Sequence, residues 1–490
     1  MSPREPSIVR HPADIERDTP DLLRRTAEIA IDYRASLADR RVGARPGLTA
    51  DDLRKALGGP MPDHGEAPGD VIDALVAGVE PGLIAMGSPR YFGFVIGGSV
   101  PAALAADWLT SVWEQNVGLF LGTPAASTVE EIAAEWLIDL LGLPRSSSVG
   151  FTTGATVAHL TALLAARHAV LRDAGWDVEE DGLIGAPTVH VVVGADVHSS
   201  LLKALKMVGL GRGRAIRVAS DDEGRMRPAE LQRVLADLPA GPTIVCAQAG
   251  EVNTGAFDDL DAIADVVATR PGSWLHIDGA FGLWVAATPS MRGLIQGHDR
   301  ADSWTTDAHK WLNVPYDSGL VFVRDAAAHR AATGVAAAYL PPAPGAERDP
   351  FDYVPELSRR ARGFAVYAAL RSLGRDGIAE LVERDCRVAR RMADALAAIP
   401  GSDVLNEVVL NQVMVRFDDD DALTRDVGAR LQADGTAWVG GTTYHGRVAL
   451  RISVSNWATT EEDGDRTVTA MARCLDDARA ARAARTDAAE

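Results

Sequence analysis

The sequence predicts an α/β fold, with a large domain on a mostly parallel sheet covered by helices on both faces and a smaller C-terminal α+β domain. Three observations predict it. From about Val149, short apolar runs (VGFTT, TVHVVVG, TIVCAQAG, SWLHIDGA, GLVFVRD) alternate with helical stretches such as ATVAHLTALLAARHAVLRDAG and LDAIADVVATR. Strands that alternate with helices build parallel sheets buried on both faces, and such strands read as continuous apolar runs. Beyond Leu357 the rhythm changes to two helical stretches, VLNQVMVRF, a helix, AWVGG, RVALRISVSN and a last helix. Finally, 490 residues, 47% of them hydrophobic and 24% charged, suffice for several cores at roughly 150 residues per domain.

In chain order, residues 1–92 read as an N-terminal helical segment, broken at GARPGLTADD and GGPMPDHGEAPG, each break ending in a helix-start residue. Residues 93–356 form the expected large domain and residues 357–490 the small one. SPRYFGFVIGGS, with its aromatics and glycines, is unusual for a plain linker, and PPAPGAERDPFDYVPE, from Pro341, reads as a Pro-rich acidic loop. The tail ARAARAARTDAAE reads as a fraying helix end, and no repeat of solenoid period occurs.

A net charge of -19 disfavours general affinity for nucleic acid or anionic membrane, which need a basic surface. The three cysteines, Cys246, Cys386 and Cys474, are too few and too scattered for a disulfide framework or a CxxC zinc site. The charged, Pro-broken start lacks the apolar core of a signal peptide, and no run approaches the roughly 18 apolar residues of a membrane span. The expected location is cytoplasmic.

Polar residues cluster where strands end, which is where parallel α/β sheets bind ligands. Thr152, Thr153, Gly154, Ala155 and Thr156 lie between a strand and a long helix; small residues there let backbone N–H groups reach an anion at the helix N-terminus, although a Thr-capped turn has the same look. Asp278 ends the strand SWLHID and precedes Gly279, as a functional carboxylate or a turn residue. His198 follows another strand and starts a helix, as a ligand or a cap. Lys310 stands in DSWTTDAHKWLNVPYDSG among Asp307, His309 and Trp311. Together they suit pyridoxal 5'-phosphate, which needs a lysine for its Schiff base, a phosphate cradle and an acid at its pyridine nitrogen.

The block around Lys310 resembles the cofactor-lysine signature of the pyridoxal-phosphate-dependent group II decarboxylases, the family of aromatic-L-amino-acid and glutamate decarboxylases. The resemblance runs from about Arg24 to about Met471 and includes SPRYFGFV, FTTGATVAHLTALLAAR, VHSSLLKALKMVGLG, WLHIDGAFG, ELSRRARGFAVYAALRSLG and NWATTEED, in the family's order. It implies a pyridoxal-phosphate transferase fold of the aspartate aminotransferase-like type (fold type I) and a carboxy-lyase that turns an L-amino acid into an amine and carbon dioxide. By the same resemblance Lys310 is the Schiff-base lysine, Asp278 the partner of the pyridine nitrogen, and Ala280 a residue against the ring. His198 stacks on the other ring face, and Ala155 and Thr156 bind the phosphate with help from groups near Asp307 and His309. Tyr339 is the family's loop tyrosine, which returns a proton after carbon dioxide leaves. The family pattern also implies a homodimer with active sites at the subunit interface.

The chain departs from that pattern in places. Gly250-Glu251-Val252 stands where most members have Gly-Thr-Thr, leaving Asn253 or Thr254 to replace a hydroxyl beside the cofactor. The family's Ser-Gly-Gly turn reads Thr153-Gly154-Ala155, and Val157 and His159 follow where other polar residues are usual. Val95-Ile96-Gly97-Gly98 replaces the aromatic and proline that line the pocket of aromatic-amino-acid decarboxylases. Arg359 and Arg360 read as structural pairing near the interface. Alternatives on the same cofactor are transamination and aldehyde-forming oxidative decarboxylation. The pairs His276/Asp278 and Asp307/His309 also admit a metallohydrolase, without a role for Lys310, and a non-catalytic relative would have no need of Lys310, Asp278, His198 and Tyr339 together.

Overall fold

Three helices lead the chain in the computed structural model, which describes residues 12–335 and 347–487: α1 (Pro12–Ser36), α2 (Ala50–Leu57) and α3 (Pro68–Val79). At the start of α2 the Thr49 hydroxyl accepts the Asp52 amide while the Asp52 carboxylate accepts the Thr49 amide, so two of the four orphan N–H groups of a helix start are satisfied. Next come β1 (Tyr91–Phe92) and two helices that open on proline, α4 (Pro101–Trp113) and α5 (Pro124–Leu140), where its missing N–H costs nothing.

The large domain runs β2 (Ser148–Thr152), α6 (Ala155–Asp173), the single turn α7 (Val178–Asp181), β3 (His190–Gly194), α8 (Ser199–Met207), β4 (Ile216–Val218) and α9 (Pro228–Asp237). It continues with β5 (Thr243–Gln248), α10 (Leu260–Ala268), β6 (Ser273–Asp278), β7 (Ser303–Asp307), β8 (Gly319–Val323) and α11 (Ala326–Thr333). Its sheet has the order β2-β8-β7-β6-β5-β3-β4. Only the pairs that involve β8 are antiparallel, as expected of a mostly parallel sheet. Alternate side chains serve opposite faces: Val191, Val193, Ile244 and Cys246 pack under α6 and α8, whereas Val192, Val245, Leu275, Ile277 and Trp304 join the core on the other side. Each such aliphatic side chain contributes about 1.5–3 kcal/mol by leaving water. The register sets Gln248 opposite Asp278 and Asp278 opposite Thr305, which aligns the carboxyl ends of the central strands along one edge.

The remaining chain comprises α12 (Gly363–Ala397), β9 (Ser402–Val404), β10 (Gln412–Phe417), α13 (Asp421–Asp434), β11 (Trp438–Tyr444), β12 (Arg447–Ser453) and α14 (Glu461–Asp487). Its sheet has the order β1-β11-β12-β10-β9, and β1 joins it as a parallel strand on β11. The two helical stretches expected after Leu357 run together as α12 across a kink at Gly374, whose φ of 63° is open to glycine. Before the kink Val366 and Leu370 pack in the large-domain core; the far end, Val388, Met392 and Leu396, packs in the second core. Among the described residues no helix is long and apolar enough to cross a membrane.

Candidate active site

Lys310 follows the end of β7, and its backbone is clamped on both sides. Trp311, Leu312 and Val314 are buried, and the Trp311 indole donates to Asp385 Oδ2 at 2.8 Å. Gly97 passes so close that a Cβ there would lie 1.9 Å from the Lys310 carbonyl oxygen. The lysine side chain, 18% exposed, reaches back to Asp307, with Nζ 3.1 Å from Oδ2. The other Asp307 oxygen accepts the Ala155 N–H at 2.6 Å, so one carboxylate joins Lys310 to the first residue of α6.

That helix start is reached through a tight passage. A Cβ on Gly319 would lie 2.4 Å from Gly154 Cα, so only glycine lets β8 and the turn before α6 approach this closely. The first turn presents the positive end of a 19-residue helix, with Thr156 half-buried in it. Beside it His309 accepts the Ser318 N–H on Nδ1 at 3.1 Å, which leaves Nε2 to face Asp307 Oδ2 at 3.6 Å. Burial lowers the His309 pKa, against the opposing pull of Asp307, and its ring stacks on Tyr316 with centroids 4.2 Å apart.

Asp278 ends β6 and is 5% exposed. Its Oδ1 accepts the Ala280 N–H at 3.1 Å, and its Oδ2 stands 3.3 Å from His159 Nε2. Burial alone would raise its pKa, but His159, His198 and Lys310 outweigh burial and hold the carboxyl below its ordinary range. The charge is therefore kept. His198 caps α8: its Nδ1 accepts the Ser200 N–H at 3.3 Å and faces the Ser200 hydroxyl at 2.7 Å. Since a backbone N–H can only donate, neutral His198 carries its proton on Nε2. Burial lowers its pKa, Asp278 opposes and Lys310 reinforces the fall.

The structure thus brings Lys310, Asp307, His309 and Ala155 into one group, with Asp278, Ala280 and His198 alongside. Thr254 is buried in the turn that Glu251 organises by accepting the amides of Asn253 and Thr254, and its hydroxyl donates to the Glu223 carbonyl at 2.8 Å. Tyr339 lies outside the described residues. Of the altered stretch 95–98, Val95 is buried in the large core and Gly98 abuts Asn456. Phe94, which stacks on Trp438, is the exposed residue beside it. His276, a candidate metal ligand, is spent on His159 and Ser303. Arg359 pairs with Glu130 and Arg360 with Asp107, both within the chain.

Two residues with a bearing on the site carried no sequence-level role. His159 sits one turn into α6 beneath Asp278; the signal was a histidine on the apolar face of TVAHLTALLAA. Arg451, in β12, is largely shielded: burial lowers its pKa and Glu251 opposes, and its charge is felt at His198. Its Nη1 lies 3.4 Å from Asn253 Oδ1 and its Nε has no partner.

Residues 51–418 match the model of the pyridoxal-dependent decarboxylase conserved domain. The chain belongs to that family. It is 30% identical to tryptophan decarboxylase 1 of Oryza sativa subsp. japonica over 475 residues, covering 90% of each chain. It is also 26% identical to phenylacetaldehyde synthase of Arabidopsis thaliana over 437 residues, 84% of this chain and 86% of the relative. The crystal structure of Oryza sativa tryptophan decarboxylase with pyridoxal phosphate and tryptamine superposes with a TM-score of 0.86 at 25% identity, over 94% of this chain and 98% of that one. The protein is accordingly a pyridoxal-phosphate-dependent amino acid decarboxylase, a carboxy-lyase of fold type I.

Proposed function

We propose that the enzyme converts an L-amino acid into its amine and carbon dioxide with pyridoxal phosphate carried on Lys310. The observation that carries this reading is that the Lys310–Asp307 pair and the buried Asp278 carboxylate share Ala280, whose carbonyl accepts the Asp307 N–H at 2.8 Å and whose N–H donates to Asp278 Oδ1 at 3.1 Å. The cluster fits the group: Lys310 supplies the amine, Asp278 a charge for a pyridine nitrogen, His198 and Ala280 flank the ring, and Ala155 and Thr156 offer a helix start to the phosphate. When bound, the cofactor supplies an electrophilic carbonyl and an electron-withdrawing ring.

The chain's own residues do the rest. Asp307 holds the Lys310 amine in place by a 3.1 Å ion pair, while His309 flanks the same carboxylate. Asp278 keeps its negative charge in a dry setting, where a fixed charge acts more strongly than in water. Neutral His198 presents Nε2–H, a donor that can hold a substrate oxygen or move a proton. Arg451, shielded and poor in partners, is the cation we assign to the substrate carboxylate. Tyr339 is assigned, on the family pattern, as the acid that returns a proton from its phenol.

Likeness to an aldehyde synthase keeps the aldehyde-forming outcome as the second reading; retention of His198 and Tyr339 supports the amine. A homodimer with interface sites is supported by the apolar residues that α4 exposes, Trp108, Leu109, Val112 and Trp113. Three buried free thiols support a cytoplasmic location, and the domain limits 1–92, 93–356 and 357–490 remain our proposed division. The test is a screen of purified enzyme and its Lys310→Ala variant against the common amino acids, scoring carbon dioxide, amine and aldehyde. Amine and carbon dioxide in equal amounts from wild type alone support the reading; turnover by the variant would end it.

A further inference from the structure

Behind Asp278 runs a line of buried polar groups that the decarboxylation chemistry does not touch. The Trp274 indole lies 2.8 Å from Ser303 Oγ, Ser303 Oγ is 2.9 Å from His276 Nδ1, and His276 Nε2 is 3.0 Å from His159 Nδ1. His159 Nε2, finally, faces Asp278 Oδ2 at 3.3 Å, an ion-pair distance rather than an aligned hydrogen bond, and makes no hydrogen bond elsewhere. His159, His276, Ser303 and Thr305 are fully buried, so water cannot repair a mismatched donor.

The direction of the line follows from its first member. An indole N–H can only donate, so Ser303 accepts from Trp274 and has one proton of its own to give. The neighbour within reach is His276 Nδ1. His276 then carries its proton on Nε2 and donates to His159 Nδ1, which the Thr305 hydroxyl also faces at 3.3 Å. With two donors converging on its Nδ1, His159 must hold its proton on Nε2, aimed at the carboxylate. The reverse direction would leave the Ser303 proton without an acceptor and set a bare nitrogen lone pair against an anion, which is costly in a dry interior. His276 is neutral, because burial pushes its pKa down to about 3.

We propose that His159 is a positioning residue: the line Trp274–Ser303–His276–His159 delivers one N–H to Asp278 Oδ2 and so holds that carboxylate ionised and oriented, while Ala280 N–H holds its other oxygen. This rests on the reading that Asp278 serves the pyridine nitrogen. The other titratable groups around the carboxylate are His198, Lys310 and Cys246, none of which lies on this line.

The test has two arms on the full-length holoenzyme. Selective 15N labelling of histidine, with signals assigned through His159→Phe and His276→Phe, reports tautomers directly. Both rings are expected neutral and protonated on Nε2, and an Nδ1–H signal from either overturns the proposal. In the kinetic arm His159→Phe removes the N–H, and His159→Gln restores a donor of similar reach. One hydrogen bond to a charged group corresponds to about a tenfold loss. The phenylalanine variant should lose about that in kcat with KM little changed, and the glutamine variant should recover most of it. Equal kcat in wild type and His159→Phe, or no recovery by His159→Gln, overturns the proposal. If His159→Phe does not fold, Ser303→Ala, which unfastens the line at its anchor, must still move the His159 tautomer signal. Asp278→Asn separates the premises: unchanged cofactor absorption and turnover there would sink the reading of Asp278 itself, whereas a response there without one from His159 sinks only this proposal.

Discussion

Replacing Asp278 by asparagine removes one charge and almost no volume. The amide oxygen can still accept the Ala280 N–H, now made at 3.1 Å, so the end of β6 should keep its shape. Two things are lost. The variant has no fixed negative charge to favour a protonated pyridine, and its amide N–H₂ must face His159 Nε2–H, donor against donor, where a 3.3 Å carboxylate contact stood. A fixed electrostatic partner in a closed site is worth roughly 2.7–4 kcal/mol, a loss of about a hundredfold to a thousandfold in kcat. The buried donor mismatch adds an instability of about 1–3 kcal/mol. The assay pairs carbon dioxide release at saturating substrate with the visible absorption of bound cofactor and a urea titration. Cofactor should be retained, turnover should fall at least about a hundredfold, and stability should fall modestly. Turnover within about threefold of wild type at full cofactor occupancy would show that Asp278 is only a turn residue.

Asp385 accepts the Trp311 indole while its other oxygen has no partner, and burial pushes its pKa up to about 8. A carboxyl raised on folding binds more protons folded than unfolded, so its contribution to stability falls as pH rises from the ordinary carboxylate range to about 8. Asp385→Asn, which keeps an acceptor for Trp311, should flatten urea stability between pH 5 and pH 8 by on the order of a few kcal/mol; identical pH profiles would refute this. Arg359 and Glu130 form a 2.9 Å pair with each side chain 1% exposed, and Arg359 also donates to the Val117 and Phe151 carbonyls. Arg359→Ala strands a buried carboxylate and should cost about 3–5 kcal/mol in denaturant unfolding, and a loss under about 1 kcal/mol would contradict that. Tyr339→Phe should bind cofactor normally yet make less amine and proportionally more aldehyde in air; an unchanged product ratio would pass the proton-donor role to His198.

The architecture was legible where each segment's own pattern agrees with its place. Buried parallel strands such as VHVVV and TIVCAQ read as apolar runs because both faces are covered, and the polar residues that end them announced the site edge. The roles proposed for Asp278 and His198 start from that edge, and the one proposed for Lys310 from the polar residues around it. What escaped depends on pairing across long stretches of chain. β1 has only two residues, and its place in the second sheet is set by Trp438 and Val439, which nothing in SPRYFGFV discloses. The Thr254 hydroxyl offered a substitute for the family's missing one, but the Glu223 carbonyl lies within 2.8 Å and captures it. His159 looked like a departure from a motif, because its partners, Asp278 and His276, lie on a strand more than a hundred residues away. Arg451 was hidden by alternation, since the two arginines of RVALRISVSN, Arg447 and Arg451, read together as the wet face of a strand although Arg451 is largely shielded.

The central claim is that Lys310, tied to Asp307 at the end of β7, is where the cofactor is carried. Borohydride reduction of the purified, cofactor-loaded enzyme, followed by proteolysis and mass mapping, tests it without knowledge of the substrate. The reduced cofactor should be fixed to the peptide containing Lys310. Label on any other lysine, with Lys310 unmodified, would contradict it.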